Sequence, residues 1–284
     1  MNDNRKPLYI NLKGELTDVN TPLVMGILNV TPDSFYAGSR YQGEKEIAER
    51  AVQIVEQGGG IIDMGAYSSR PDSIDITPEE EMARLEFALR IVNRELPDAV
   101  ISVDTFRAEI AKRCVNEFGV AIINDISGGE MDPDMFDTVA QLQVPYILMH
   151  MVGTPQSMTA HTHYDHLLEE LFLYFAKKVN RLRLAGVNDI ILDPGFGFSK
   201  TLADNYRLMK HLSDFKTFEL PILSGISRKS MIYKHLGITP AESLNGTTVL
   251  NTLSLCGGAN ILRVHDVKEA VEAVQLYTMT QRQQ

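Results

Sequence analysis

The chain has 284 residues, with 27 lysines and arginines against 37 aspartates and glutamates, so its formal net charge at pH 7 is −10. This acidic balance argues against a nucleic-acid-binding protein, which needs a basic surface, although a local basic site for a small anion remains compatible with it. No apolar run approaches the roughly 20 residues that span a bilayer, and the first residues lack the apolar core of a signal peptide. We therefore expect a cytoplasmic globular protein. Its two cysteines, Cys114 and Cys256, are too few for a disulfide framework, and we expect both to be buried.

Short apolar runs alternate with longer amphipathic stretches along most of the chain. The runs are typical of parallel strands buried on both faces. The eight predicted strands are Leu23–Asn29, Gly60–Met64, Val100–Asp104, Val120–Asp125, Pro145–His150, Asp189–Asp193, Pro221–Ser224 and Asn260–Val264. The predicted helices between and after them include Glu44–Gln57, Pro78–Leu96, Phe106–Phe118, Asp165–Ala185, Asp204–His211, Ala241–Leu255 and Val267–Tyr277.

Eight strands that alternate with helices over about 260 residues predict an α/β fold of the TIM-barrel type, (β/α)₈, which occupies residues 23–284 as one domain. A doubly wound open sheet is the alternative, because periodicity does not show whether the sheet closes. The turn formers Gly14, Thr17, Asp18 and Asn20 indicate that residues 1–22 form a short N-terminal hairpin, which we expect to cap the bottom of the barrel.

Polar residues follow seven of the predicted strands, at the end of a barrel where active sites lie. They are Asn29, Asp104, Asn124, Asp125, His150, Asp193, Lys229, Arg263 and His265. A single Asp or Asn in such a place is more often a helix cap or a turn former than a catalyst. Capping alone does not account for seven strand ends, so the set predicts an active site.

Several motifs, in order, resemble those of the dihydropteroate synthase family between Leu23 and Val274. They are Met25–Phe35 (MGILNVTPDSF), Ser69–Pro71 (SRP), Ser102–Thr105 (SVDT), Ile123–Gly129 (INDISGG), Leu148–Met151 (LMHM), Asp193–Phe198 (DPGFGF), Ser227–Lys229 (SRK) and Arg263–Asp266 (RVHD). The resemblance implies that 4-aminobenzoate is joined to (7,8-dihydropterin-6-yl)methyl diphosphate, with release of pyrophosphate, in folate synthesis. It also implies a TIM barrel, a Mg²⁺ cofactor and a homodimer.

By this resemblance, four residues bind the pterin ring. Asp193 accepts hydrogen bonds from adjacent N–H groups of the ring, and Lys229 reaches the ring carbonyl. Asn124 pairs with further ring nitrogens, and Asp104 faces the dihydropyrazine side. The structural alternatives are that Asp193 caps a Pro-Gly turn and that Lys229 is a solvated charge at the start of a helix.

The diphosphate requires positive charge and hydrogen-bond donors. Arg263 can bind it with two hydrogen bonds, His265 can donate one, and the resemblance adds Ser69. Asn29 is the expected Mg²⁺ ligand, since Mg²⁺ keeps most of its waters and binds substrate phosphates. We expect a loose, dissociative substitution. The alternatives are that Arg263 pairs with Asp266 and that His265 is a core histidine.

The 4-aminobenzoate pocket is expected in two long loops, Val30–Gly43 and Ala66–Thr77. The residues that the resemblance assigns to it are Phe35, Ser69, Arg70, Pro71, Lys229 and Ser230. The second loop departs from the family pattern Gly-Glu-Ser-Thr-Arg-Pro-Gly, because this chain has Ala66-Tyr67-Ser68-Ser69-Arg70-Pro71-Asp72. Asp72 in particular lacks the backbone freedom of glycine.

Two other functions are compatible with part of this pattern. A pterin-binding methyltransferase would share Asp104, Asn124 and Asp193 but has no need of Lys229 or the two loops. A paralogue that binds pterin without catalysing the condensation is left open by the changes in the second loop. The tract His161–His166 is similar to a metal site but has no counterpart in the family, and we expect it to be a solvated loop.

Overall fold

The structure, a computed structural model, describes residues 7–30, 40–67 and 75–282. The chain begins with a hairpin of two antiparallel strands, β1 (Tyr9–Leu12) and β2 (Glu15–Asp18). The eight barrel strands are β3 (Leu23–Asn29), β4 (Ile61–Gly65), β5 (Ile101–Asp104), β6 (Ile122–Asp125), β7 (Tyr146–Met149), β8 (Ile190–Asp193), β9 (Leu223–Ser224) and β10 (Ile261–Val264). They agree with the predicted strands to within two residues at each end.

Helices follow the barrel strands. They are α1 (Arg40–Glu56), α2 (Pro78–Glu95), α3 (Ala108–Phe118), α4 (Met135–Leu142), α5 (Leu167–Leu184), α6 (Leu202–Lys210), α7 (Ser230–Leu236), α8 (Leu244–Gly257) and α9 (Val267–Gln281). Helix α2 starts as its sequence predicts, because the Thr77 side chain accepts the Glu80 amide and Pro78 occupies the first turn. Helix α4, only eight residues long, was not among the predicted helices.

The eight parallel strands form a nearly closed barrel, in the order β8-β7-β6-β5-β4-β3-β10-β9. The remaining gap, between β8 and β9, is joined by a parallel bridge from Leu192 to Ile222 and by a 2.8 Å hydrogen bond from the Leu192 amide to the Pro221 carbonyl. The predicted TIM barrel is therefore confirmed, and the open-sheet alternative is wrong.

The hairpin lies at the bottom of the barrel, as expected. Its apolar residues Ile10, Leu12 and Val19 are buried in one cluster with inward-facing strand residues such as Met25 and Ile191. Polar contacts hold it at the amino ends of the strands, where the Asn260 side chain donates to the Val19 carbonyl at 2.8 Å. The hairpin therefore covers the amino ends of the strands and leaves the carboxyl ends, where the predicted site residues lie, uncovered.

The expectation of two buried cysteines is half wrong. Cys114 in α3 is fully buried, and burial raises the pKa of its thiol to about 12. Cys256 is exposed, because α8 buries the stripe that contains Leu250, Ser254 and Leu255 and turns position 256 towards solvent. Among the helices that the structure describes, none is long and apolar enough to cross a membrane.

Candidate active site

Three of the predicted residues lie in one row across the upper end of the sheet. Strand pairing places Asn29 beside Gly65, Gly65 beside Asp104, and Asp104 beside Asn124. Gly65 leaves an opening in this row: a Cβ atom there would lie 3.5 Å from the Asp104 Cβ and 3.8 Å from the Asn29 Oδ1. The parallel register therefore brings together residues that are nearly 100 positions apart.

Arg263 joins this row from β10. Its Nε donates to Asp63 Oδ2 at 2.6 Å and its terminal nitrogen NH2 donates to Asp104 Oδ2 at 2.8 Å. The alternative pairing with Asp266 is wrong, because Asp266 accepts two hydrogen bonds from Arg228, at 2.9 and 2.7 Å. One guanidinium therefore neutralises two carboxylates inside the barrel mouth.

Asp63 is a site residue that the sequence motifs do not include, and Lys200 is another. Asp63 lies in the middle of β4 and is fully buried, and its carboxylate also accepts the Asn124 side-chain amide at 3.2 Å. The signal was present, because a charged residue interrupts the apolar run Ile61–Met64, and buried carboxylates are almost always paired. Asp63 thus fixes the orientation of both Arg263 and Asn124.

Asp193 and Lys229 face the same space from the other side. Asp193 Oδ1 accepts the Gly195 amide at 2.8 Å, so the predicted turn contact exists. A carboxylate has about four acceptor positions, however, so this bond does not prevent it from binding a ligand. Lys229 Nζ donates to the Phe196 carbonyl and lies 4.4 Å from the centre of the Phe198 ring. It is therefore half-buried rather than solvated.

The ionisable side chains of the site include the carboxylates Asp63, Asp104, Asp125 and Asp193 and the basic groups of Arg263, Lys229 and Lys200. Burial raises the pKa of Asp104 to about 7, against the attraction of Arg263, and burial also raises the pKa of Asp193. Burial lowers the pKa of Lys229 to about 8. The Asp63 and Asp104 carboxylates outweigh burial at Arg263, raise its pKa and keep it charged.

His265 is an exposed residue at the end of β10, so the core-histidine alternative is wrong. Its Nδ1 lies 3.0 Å from the Ser227 hydroxyl, which also accepts the His265 amide at 3.1 Å. Although the residue is exposed, the barrel mouth around its ring removes part of the solvent, and this desolvation, with the positive charge of Arg263, lowers the pKa of His265. We infer that the ring is neutral, accepts from Ser227 at Nδ1 and presents Nε2–H as a donor.

An apolar cluster lies at the same end of the barrel, and no prediction from the sequence included it as a whole. Its buried members are Phe106, Ile126, Met149, Met151, Met158 and Phe198. Tyr67 packs against it, with its ring centre 5.0 Å from that of Phe106 in an edge-to-face arrangement. Flat aromatic and flexible thioether groups are surfaces that suit a planar heteroaromatic ring.

The remaining predicted residues divide into two groups. Ser230 starts α7 directly after Lys229, whereas Phe35, Ser69, Arg70 and Pro71 lie outside the described residues. The tract from 161 to 166 is a loop in which all three histidines are exposed, as expected. Within the described ranges, no cluster of three His, Cys, Asp or Glu side chains could hold a metal ion.

Comparison with known proteins gives consistent results. Residues 25–265 match the sequence family described as pterin binding enzyme. The chain is 38% identical over 270 residues to the dihydropteroate synthase of Escherichia coli K12, which covers 94% of this chain and 95% of that one. It is 40% identical over 248 residues to the dihydropteroate synthase of a Synechocystis strain, and this match covers 86% of this chain and 85% of that one.

Solved structures agree. The Yersinia pestis dihydropteroate synthase in a sulfonamide drug complex superimposes with a TM-score of 0.89 at 36% identity, over 97% of this chain and all of that one. The Xanthomonas albilineans enzyme with 4-aminobenzoic acid gives a TM-score of 0.86 at 32% identity, over 97% and 99%.

Proposed function

The chain belongs to the dihydropteroate synthases, a family of pterin-binding transferases of folate biosynthesis, and from this membership we propose the reaction that it catalyses. Its substrates are (7,8-dihydropterin-6-yl)methyl diphosphate and 4-aminobenzoate, and its products are 7,8-dihydropteroate and pyrophosphate. The amine nitrogen forms the new C–N bond and loses a proton. The diphosphate leaves with the electrons of the broken C–O bond.

The observation that carries this proposal is the pair Asp193 and Lys229 beside the apolar cluster around Phe198. The amino-pyrimidinone edge of a pterin has adjacent N–H donors next to a carbonyl acceptor. A carboxylate can accept from two adjacent donors, and an ammonium group can donate to the carbonyl. Asn124 is held by Asp63 in one orientation and adds further pairing.

The opposite side of the site suits the leaving diphosphate. Arg263 retains donor capacity beyond its bonds to Asp63 and Asp104, since a guanidinium has five N–H groups. His265 contributes a neutral N–H donor. Asp104 lies beside Arg263, where its carboxylate offsets positive charge that develops on the pterin methylene as the C–O bond lengthens. This arrangement favours the loose, dissociative substitution.

We propose that Mg²⁺ is held by Asn29 together with the substrate diphosphate. The residues fit this ion: the Asn29 amide is exposed at the strand end, and the absence of a side chain at Gly65 leaves room beside its Oδ1. Mg²⁺ commonly uses one or two protein oxygens and completes its shell with water and phosphate. When bound, it would neutralise charge on the leaving group.

For 4-aminobenzoate we propose a pocket formed by Lys229 and Ser230 with Phe35, Ser69, Arg70 and Pro71. Support comes from the position of Ser230 at the first turn of α7, where backbone amides favour a carboxylate. The arylamine is neutral at pH 7, so it requires positioning rather than a strong base.

We propose that the protein is a homodimer that forms through α8. This helix exposes two large apolar residues one turn apart, Val249 at 52% and Leu253 at 49% of their full accessible area. An apolar pair on an outer helix of a barrel is the kind of surface that a second copy covers.

The reaction is tested by a pyrophosphate-release assay with both substrates and Mg²⁺. We expect product with the wild-type chain and a large loss of kcat/KM for Asp193→Asn, which leaves two pterin donors poorly paired at a cost of about 1–3 kcal/mol. The exposed Asp98→Asn at the other end of the barrel is the control and should behave as wild type. Pterin binding without condensation would support the non-catalytic paralogue instead.

A further inference from the structure

Lys200 is a buried lysine that the proposed reaction does not use, and burial lowers the pKa of its ammonium group to about 7, against the attraction of Asp193. It follows β8 and is only 7% exposed. Its Nζ lies 3.0 Å from the Gly195 carbonyl oxygen, 3.1 Å from the Phe198 carbonyl oxygen and 3.1 Å from His150 Nδ1, with the His150 carbonyl at 3.4 Å. An ammonium group has three donors, so the three shorter contacts satisfy it fully.

His150 is suited to accept one of these bonds. Its ring is buried at the end of β7 and packs edge-to-face on Tyr174, with the ring centres 4.8 Å apart. Burial and the charge of Lys200 lower the pKa of the imidazole well below its ordinary value. The ring is therefore neutral, and its Nδ1 has a lone pair for the ammonium group.

The loop from 194 to 199 wraps around Lys200 with an unusual backbone. Gly195, Gly197 and Ser199 have φ values of 73°, 82° and 44°, all in the left-handed region. This conformation is accessible to glycine but costs a residue with a side chain, such as Ser199, free energy. A side chain at Gly195 would clash with the His150 carbonyl oxygen. Such a loop needs compensating contacts to persist, and the ammonium group supplies them by binding two of its carbonyls.

The same loop carries most of the partners of Lys229. The Phe196 carbonyl accepts its ammonium, the Phe198 ring lies beneath it, and Gly197 leaves room for its stem, since a Cβ there would be 3.0 Å from Lys229 Cδ. The Gly195 amide donates to Asp193. A change in the shape of this loop therefore moves both members of the proposed pterin-binding pair.

We propose that Lys200 is a positioning residue for pterin binding: its ammonium group, bound by Gly195, Phe198 and His150, holds the 194–199 loop in the shape that places Asp193 and Lys229. It touches no substrate itself. This role rests on the proposed pterin site.

The test compares Lys200→Met, which keeps the length of the side chain but not its charge or donors, with Lys210→Met, a matched change at the exposed end of α6. Dissociation of 6-hydroxymethylpterin is followed by calorimetry, and KM for 4-aminobenzoate is measured at saturating pterin diphosphate. We expect pterin binding to weaken about tenfold or more in Lys200→Met, because several buried acceptors lose their donor. KM for 4-aminobenzoate should rise by less than the pterin dissociation constant, because Lys229 is one of several residues of its proposed pocket, whereas both members of the pterin-binding pair are displaced.

A second measurement separates positioning by the cation from simple packing. In Lys200→Ala, propylammonium ions match the missing atoms and should restore most of the pterin affinity, whereas propanol should not. Equal rescue by the two compounds, or normal pterin binding by Lys200→Met, would overturn the proposal.

Failure to fold has a defined meaning as well. If Lys200→Met does not fold, Lys200→Gln, which retains two donors, is measured in the same way, and the loss of folding in both would show a role in overall stability instead. A wild-type chain that binds no pterin would contradict the proposed function, whereas unaltered binding by the variants would contradict this inference alone.

Discussion

Arg263 and the carboxylates around it form a unit in which no member can be judged alone. Asp63 is fully buried, Asp104 is 16% exposed, and both depend on the one guanidinium. Removal of one partner from such a buried group commonly costs about 3–5 kcal/mol, because the charge left behind is uncompensated. The neighbour in sequence, Asp266, takes no part, since Arg228 holds it. The orientation of Arg263 and the charge of the site therefore depend on ion pairs between residues that are far apart in the sequence.

The pH dependence of the reaction follows from three groups of the site. Below about pH 7, Asp104 gains a proton and loses the charge that orients Arg263. On the alkaline side, Lys200 loses its proton above about pH 7, and Lys229 loses the proton that it donates to the pterin carbonyl above about pH 8. We expect kcat/KM for the pterin diphosphate, which reports the free enzyme, to fall on both sides of this narrow window. Steady-state assays from pH 5.5 to about pH 9.5 measure it.

The control is Lys229→Arg, whose guanidinium stays charged throughout this range. Its activity should be lower, and the part of its alkaline limb near pH 8 should move to higher pH, whereas the part that Lys200 causes near pH 7 should remain. An alkaline limb that is unchanged in this variant would show that another group, or the substrate itself, causes it.

The N-terminal hairpin is the element with the clearest separate role. It closes the end of the barrel opposite the site, and Ile10 is 1% exposed within the cluster that fills the lower barrel. Among the described residues, its polar contacts with the barrel, such as those from Asn260 to Val19 and from the Asn11 amide to Asp189, lie at the bottom. The hairpin therefore contributes to stability and leaves the chemistry to the other end.

Truncation of the buried Ile10 side chain should lower the stability of the fold and leave the catalytic activity unchanged. We expect Ile10→Ala to reduce the free energy of unfolding by about 2–5 kcal/mol, from lost burial and the cavity that remains. Urea denaturation followed by circular dichroism measures it. Leu16→Ala on the neighbouring strand, where Leu16 is 77% exposed, should change stability little. A large loss of kcat in Ile10→Ala at temperatures where it is folded would contradict this division of roles.

At the scale of the whole molecule, the proposed homodimer rests on apolar side chains that the outer helices of the barrel expose. Helix α8 turns Val249 and Leu253 outwards together, and the neighbouring α9 exposes Leu276 and Met279 in the same way. We expect light scattering to show a dimer, and the double change Val249→Glu with Leu253→Glu to give a monomer, because burial of four charges per interface is unfavourable.

Leu184→Glu at the end of α5, where the leucine is 81% exposed, is the matched control and should leave the mass unchanged. A wild-type chain with the mass of one protomer would contradict the homodimer. Dissociation by the control as well would place the interface elsewhere.

The sequence by itself determined the number, order and approximate bounds of the strands, because buried parallel strands have a local apolar pattern. It also located the residues Asn29, Asp104, Asn124 and Asp193 at strand ends, and its motifs identified the family. Only the tertiary structure decided that the barrel closes, through a bridge between Leu192 and Ile222 that has no local signature.

The tertiary structure also decided which charged side chains form pairs. Arg263 binds Asp63, 200 positions away, rather than Asp266, three positions away, and Lys200 is buried by carbonyls from two separate segments. Pairing and burial depend on strand register and on which backbone passes nearby, and neither is encoded in the periodicity of a single segment. Residues that act through local pattern could be predicted, whereas those that act through long-range contacts required the folded chain.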